Sequence, residues 1–118
     1  MSQMFGYVGE RQDAAEIVLS GLRHFEDRGH ACWEIAVGDC GQVTFDKRVD
    51  PTQHARHATA LPQSALALGH ALPSDRTPTD AESANPQLDC CNRLAVVHDG
   101  EFSNAPQLRH ALARAGHY

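Results

Sequence analysis

The side chains with the most chemistry to offer in this 118-residue chain are eight histidines and four cysteines. His54 and His57 stand three apart in a stretch that reads as helix, so both rings can face one ion. No third ligand lies near them in sequence, and a polar helix face is the simpler reading. His24, His30, His110 and His117 fall at or just beyond helix C-terminal halves, where an imidazolium meets the negative end of the dipole. His70 and His98 sit in apolar, strand-like runs and read as core histidines. The cysteines are at 32, 40, 90 and 91, with no CxxC pair. Cys90 and Cys91 should alternate faces on a strand edge, one buried and one exposed, and nothing nearby marks either as a nucleophile. The expectation is four reduced, unpaired thiols, no metal and no cofactor, in a cytoplasmic protein.

Ala14 to Val37 is the unit that orders the rest. Ala14, Val18, Leu22 and Phe25 follow helical spacing, and Ala15 and Leu19 widen the stripe. Asp13 is placed to cap the first turn, and Arg28–Gly29 to end the last. Ile35 and Val37 then point one way and Ala36 the other, as in a strand. Met4 to Val8 predicts a short strand before the helix. Gly38-Asp39-Cys40-Gly41 predicts a hairpin turn into Gln42 to Phe45. Asp50-Pro51-Thr52 opens a second helix that Pro62 ends. Ala65 to Ala71 reads as a buried strand, and Arg93 to His98 as another. Between them, Leu72 to Asp89 has three prolines and no hydrophobic period, the kind of long loop that lies near a site or a partner. Ser103 or Asn104 caps a last helix with Leu108, Ala111, Leu112 and Ala115 on one face, ending at Gly116.

Composition excludes several classes. Net charge is -5, which gives no electrostatic footprint for nucleic acid or an anionic membrane. No apolar run approaches the roughly 20 residues needed to span a bilayer. MSQMFGYVGERQD has neither a basic start nor a long apolar run, so no signal peptide is expected. The length allows one domain, residues 1–118.

Taken in order, FGYVGERQDAAEIVLSGLRHFEDRGH, EIAV, GHA, PTDAESANP and LAVVHDGEFSNAPQLRHALARAGH resemble the glutaminase domain of glucosamine-fructose-6-phosphate aminotransferase, a class II glutamine amidotransferase. VVHDG followed by a capped helix and GH is the most specific piece, and the helix ending in RGH is second. The resemblance implies an α/β (α+β) architecture of the N-terminal nucleophile hydrolase kind. It implies only the first half of the αββα sandwich, a truncated domain.

It also implies where chemistry should be, and there the residues depart. The family's nucleophile is a cysteine freed by loss of the initiator methionine, with its own amine as base. Ser2 stands at that position, and a hydroxyl is far less acidic than a thiol. Gln3 replaces the glycine that follows. The arginine that grips the glutamine carboxylate falls at Leu72, which has no charged fork to offer. Arg76, four residues on, is the nearby cation that could substitute. His70 and His98 match family histidines on strands beside the site. The oxyanion-hole asparagine falls at Asp99, an acceptor that adds negative charge where negative charge must develop, while Gly100 keeps the backbone donor. The family's amine-binding aspartate lies past the terminal GH, and this chain ends at Tyr118. Ala31-Cys32-Trp33-Glu34 replaces aspartate-serine-alanine-glycine, and Trp33 reads as a space-filler against the sheet.

Three functional readings follow. One is a pseudoenzyme that binds a partner chain or a small amino-acid-like ligand. A second is an altered enzyme using Ser2, or Asp99 with His98, on another amide or amine. The third is a half-domain that a partner chain completes. Half a sandwich leaves a sheet face bare, which predicts a homodimer or a dimer with another protein.

Overall fold

The computed structural model describes residues 3–24, 30–48, 61–73 and 86–117. Six strands and two helices are described, in the order β1 (Gln3–Val8), α1 (Ala14–His24), β2 (His30–Asp39), β3 (Gln42–Arg48), β4 (Leu66–Pro73), β5 (Gln87–Leu88), β6 (Ala95–Val96), α2 (Ala105–Arg114). The architecture is α+β, with an antiparallel four-stranded sheet ordered β1-β4-β2-β3 and a separate β5-β6 ribbon.

Period two in the strands and period 3.6 in α1 meet on one face of this sheet. Trp33, Ile35 and Val37 of β2 pair with Ala71, Gly69 and Ala67 of β4, so all six share a face. Val18, Leu19 and Leu22 of α1 join them in the buried core, with Phe5, Tyr7 and Leu61 packed at its margin. Trp33 is fully buried, as expected of a space-filler, and the Arg48 guanidinium lies 5.6 Å from its ring centroid. Gly69 lets helix and sheet pack closely. A β-carbon there would fall 2.4 Å from Val18 Cγ1 and 3.0 Å from Leu22 Cδ1.

Ser64 ties the start of α1 to this sheet. Its carbonyl accepts from the Ala14 N–H at 3.0 Å, its N–H donates to Gln12 O at 2.8 Å, and its hydroxyl donates to Gly38 O. The Asp13 carboxylate, expected to cap α1, is taken by the Arg11 guanidinium, with the shorter bond 2.6 Å. That fork holds Asp13 below its ordinary carboxylate value.

The hairpin turn lies where it was predicted, and its strands run longer than the pattern suggested. Cys40 and Gly41 both have positive φ, 49° and 77°, as a two-residue loop between right-twisted strands requires. The predicted strand Arg93 to His98 is a correction, because only Ala95–Val96 pairs, against Gln87–Leu88. Arg93 and Leu94 donate their N–H groups to the Asp89 carboxylate instead of a ladder, at 2.6 and 2.7 Å. β5 itself lies at the end of what reads as loop. The predicted end of α1 at Arg28–Gly29, the predicted helix from Thr52 to Leu61 (with His54 and His57) apart from Leu61 itself, and most of the Leu72–Asp89 loop lie outside the described residues.

Candidate functional site

Opposite α1, the sheet presents a second face whose side chains form rows across the strands. The register places Met4, His70, Glu34 and Lys47 in one row over β1, β4, β2 and β3. Gly6, Leu68, Ala36 and Phe45 make the next, and Val8, Leu66, Gly38 and Val43 the one beyond. On the other side of the polar row, Leu72 lies across from Cys32. The face is therefore apolar with one ionisable band at its middle.

Two members of that band are buried. His70 is 2% exposed and Glu34 4% exposed. Lys47 Nζ sits 3.0 Å from Glu34 Oε1. Burial raises the Glu34 carboxyl above its ordinary value, and the hydrogen bond and charge of Lys47 pull it part of the way back. A carboxyl held this way can exchange a proton nearer neutrality than a solvated one. The spacing of the strand did not single out Glu34, although a charged residue on a strand buried on both faces was the available signal.

The predicted site residues divide into two groups. His70 and Leu72 share the second face of β4, His70 buried and Leu72 half-buried. The core reading of His70 is what the structure shows. His98, Asp99 and Gly100 lie past β6, in the turn that leads to α2. His98 is a correction, since it is half-buried outside any strand and stacks on Phe102, ring centroids 4.4 Å apart and planes 14° apart. Gly100 has φ +136°, a conformation that L side chains rarely adopt. Ser2 and Arg76 lie outside the described residues.

The C-terminal segment reaches the sheet at its apolar end. Val43 N–H donates to Asn92 O at 2.8 Å. Between the strands and this segment is a cavity of about 220 Å³, lined by Ala36, Val43, Leu66, Leu68, Leu94 and Arg93 among others. Its lining is mainly aliphatic, which suits an apolar group better than a carboxamide.

Cys90 and Cys91 also depart from expectation. Both are exposed, in the turn between β5 and β6 rather than on a strand. The Asp89 carboxylate builds that turn by accepting from the N–H groups of Cys91, Arg93 and Leu94. These bonds hold Asp89 below its ordinary value. α2 follows as predicted after Asn104, but its apolar stripe is exposed, with Leu108 and Leu112 open to solvent. Among the described residues no helix is long and apolar enough to cross a membrane.

No family model matches the chain. Its similarity to individual proteins is clear. It is 35% identical, over 99% of its length, to a protein of Corynebacterium efficiens named glutamine–fructose-6-phosphate aminotransferase [isomerizing]. Proteins of the same name from Streptomyces coelicolor and Mycobacterium tuberculosis are each 36% identical, over 99% and 98% of this chain. The chain spans about a fifth of the length of these curated relatives, 20%, 19% and 19% respectively.

Proposed function

The chain is homologous to the N-terminal glutaminase region of glutamine–fructose-6-phosphate aminotransferase, and from that kinship we propose that it is a glutamine amidotransferase-like module without glutaminase activity, acting by binding a partner chain or a small amino-acid-like ligand. The fold behind this reading is the first half of an N-terminal nucleophile hydrolase sandwich, with α1 and the four-stranded sheet as its outer helical layer and first sheet.

The observation that carries it is the end of β4. Where the resemblance calls for a carboxylate-gripping arginine, Leu72 lies across from the buried thiol of Cys32, on an apolar face. A carboxylate brought there would lose water and find no charged donor in Leu72 or Cys32. The oxyanion position points the same way. Asp99 is an acceptor when ionised, and loss of one oxyanion donor alone costs about a hundredfold to a thousandfold in rate.

One observation favours the alternative of a half-domain completed by a partner. Met4, Val8, Phe45 and Leu66 are large, exposed and all on the second face, where a second sheet would pack in the full sandwich. Glutamine hydrolysis tests both readings. Purified chain, and its Ser2→Cys variant, should release no ammonia from glutamine above the uncatalysed rate. Release at an enzymatic rate by the chain alone would overturn the proposal. Release only with a partner chain present would transfer the weight to the completed half-domain.

A further inference from the structure

Among the described residues α2 buries no side chain, yet the structure gives its last turn a defined place. His117 N–H donates to Leu112 O at 2.9 Å and Gly116 N–H to Ala113 O at 3.1 Å, with Gly116 at φ +87°. This is a Schellman cap, and it fixes the backbone from which the His117 ring projects. Twenty-seven residues earlier, the Asp89 turn fixes Cys90 and Cys91 just as firmly. The two constructions meet. Cys90 Sγ lies 3.9 Å from His117 Nδ1 and 4.0 Å from Cys91 Sγ.

We propose that Cys90, Cys91 and His117 bind a divalent metal ion of the zinc class, which clips the end of α2 to the β5–β6 turn. Tetrahedral zinc, with bonds of about 2.3 Å to sulfur and 2.0–2.1 Å to nitrogen, needs sulfurs roughly 3.8 Å apart and a sulfur-to-nitrogen separation of roughly 3.5 Å. The Cys90–Cys91 and Cys90–His117 separations of 4.0 and 3.9 Å must close by a few tenths of an ångström, and the His117 ring, which stands outside the 4.8 Å cluster of Asp89, Cys90 and Cys91, must swing further toward Cys91, a movement open to an exposed side chain. A carboxylate oxygen of Asp89 lies within 4.8 Å of both thiols. Oδ2 accepts a long 3.2 Å bond from the Cys91 N–H, and this oxygen or a water takes the fourth position. Both thiols lose a proton to the solvent as the two metal–sulfur bonds form. The Asp89 carboxylate puts negative charge beside both thiols, which suits a cation. A ribbon with two residues per strand and a solvent-exposed helix is the kind of small element that a metal staple stabilises.

The test is titration of the full chain, kept reduced by a non-chelating phosphine, with cobalt(II) alone and then zinc(II). One cobalt per chain should bind with a thiolate-to-metal charge-transfer band and tetrahedral ligand-field bands, and zinc should displace it. Cys90→Ser and His117→Ala should each weaken binding by more than about a hundredfold, because outer-shell changes alone cost ten- to a hundredfold. Cys40→Ser, at the exposed thiol of the β2–β3 turn, should leave it unchanged. Zinc should also slow amide exchange along α2. Absence of the charge-transfer band, its survival in both ligand variants, or its loss with Cys40→Ser would overturn the proposal.

Discussion

Replacing Lys47 with methionine should cost about 2–3 kcal/mol of folding stability near pH 7.5 and far less near pH 4.5. The reason lies in the ionisable row of the second face. Glu34 is 4% exposed, and its ion pair with Lys47 is 3.0 Å long. Removing one partner of a deeply buried pair costs about 3–5 kcal/mol, because a bare charge is left behind. Lys47 keeps 27% of its side chain exposed, so water screens the pair and the lower figure applies. The pH dependence follows from the direction of the Glu34 shift. Burial already raises this carboxyl, and loss of Lys47 raises it further. A raised acid holds more proton in the folded state than in the unfolded one. Stability therefore falls as pH rises between the unfolded and folded values, by up to about 1.4 kcal/mol per pH unit. Below the ordinary glutamate value Glu34 is neutral in both states, and the cost vanishes. His70 is the registered neighbour of Glu34, so Glu34→Gln and the double variant are needed to isolate the carboxylate. Urea unfolding of the three variants across this range is the assay. The double variant should regain most of the stability lost in K47M. A loss that is flat with pH, or a double variant as unstable as K47M, would refute the reasoning.

Gly69→Ala should cost about 1–3 kcal/mol, since its methyl group meets Val18 and Leu22 where α1 packs on β4. Thermal unfolding checks this, and trimming Val18 to alanine in the same chain should recover part of the loss. Asp89→Ala should free the amides of Cys91, Arg93 and Leu94, and their hydrogen exchange should become fast while β2 and β4 stay protected. The Asp89 carboxylate is held below its ordinary value, so its contribution to the turn is complete above that value and fades as pH falls through the lowered one. Acid titration followed at those three amides should show loss of protection in the wild-type chain and no transition in the variant.

Much of the framework was legible without coordinates. The apolar stripe from Ala14 to Leu22, the alternation around Ile35 and the Cys40–Gly41 turn are local signals, and each element formed where its pattern lay. So was the kinship, because its motifs run in order along the chain. Local pattern failed at Arg93 to His98, where residues with strand alternation lost their amides to one aspartate. It also did not foresee that the apolar stripe of α2 faces solvent. The tertiary structure alone decided that His70, Glu34 and Lys47 form a row, and that Cys90 meets His117. A helical or strand period reports how a side chain stands relative to its own backbone. Which side chains then become neighbours depends on register between strands distant in sequence and on turns closed by single side chains, and no period carries that information.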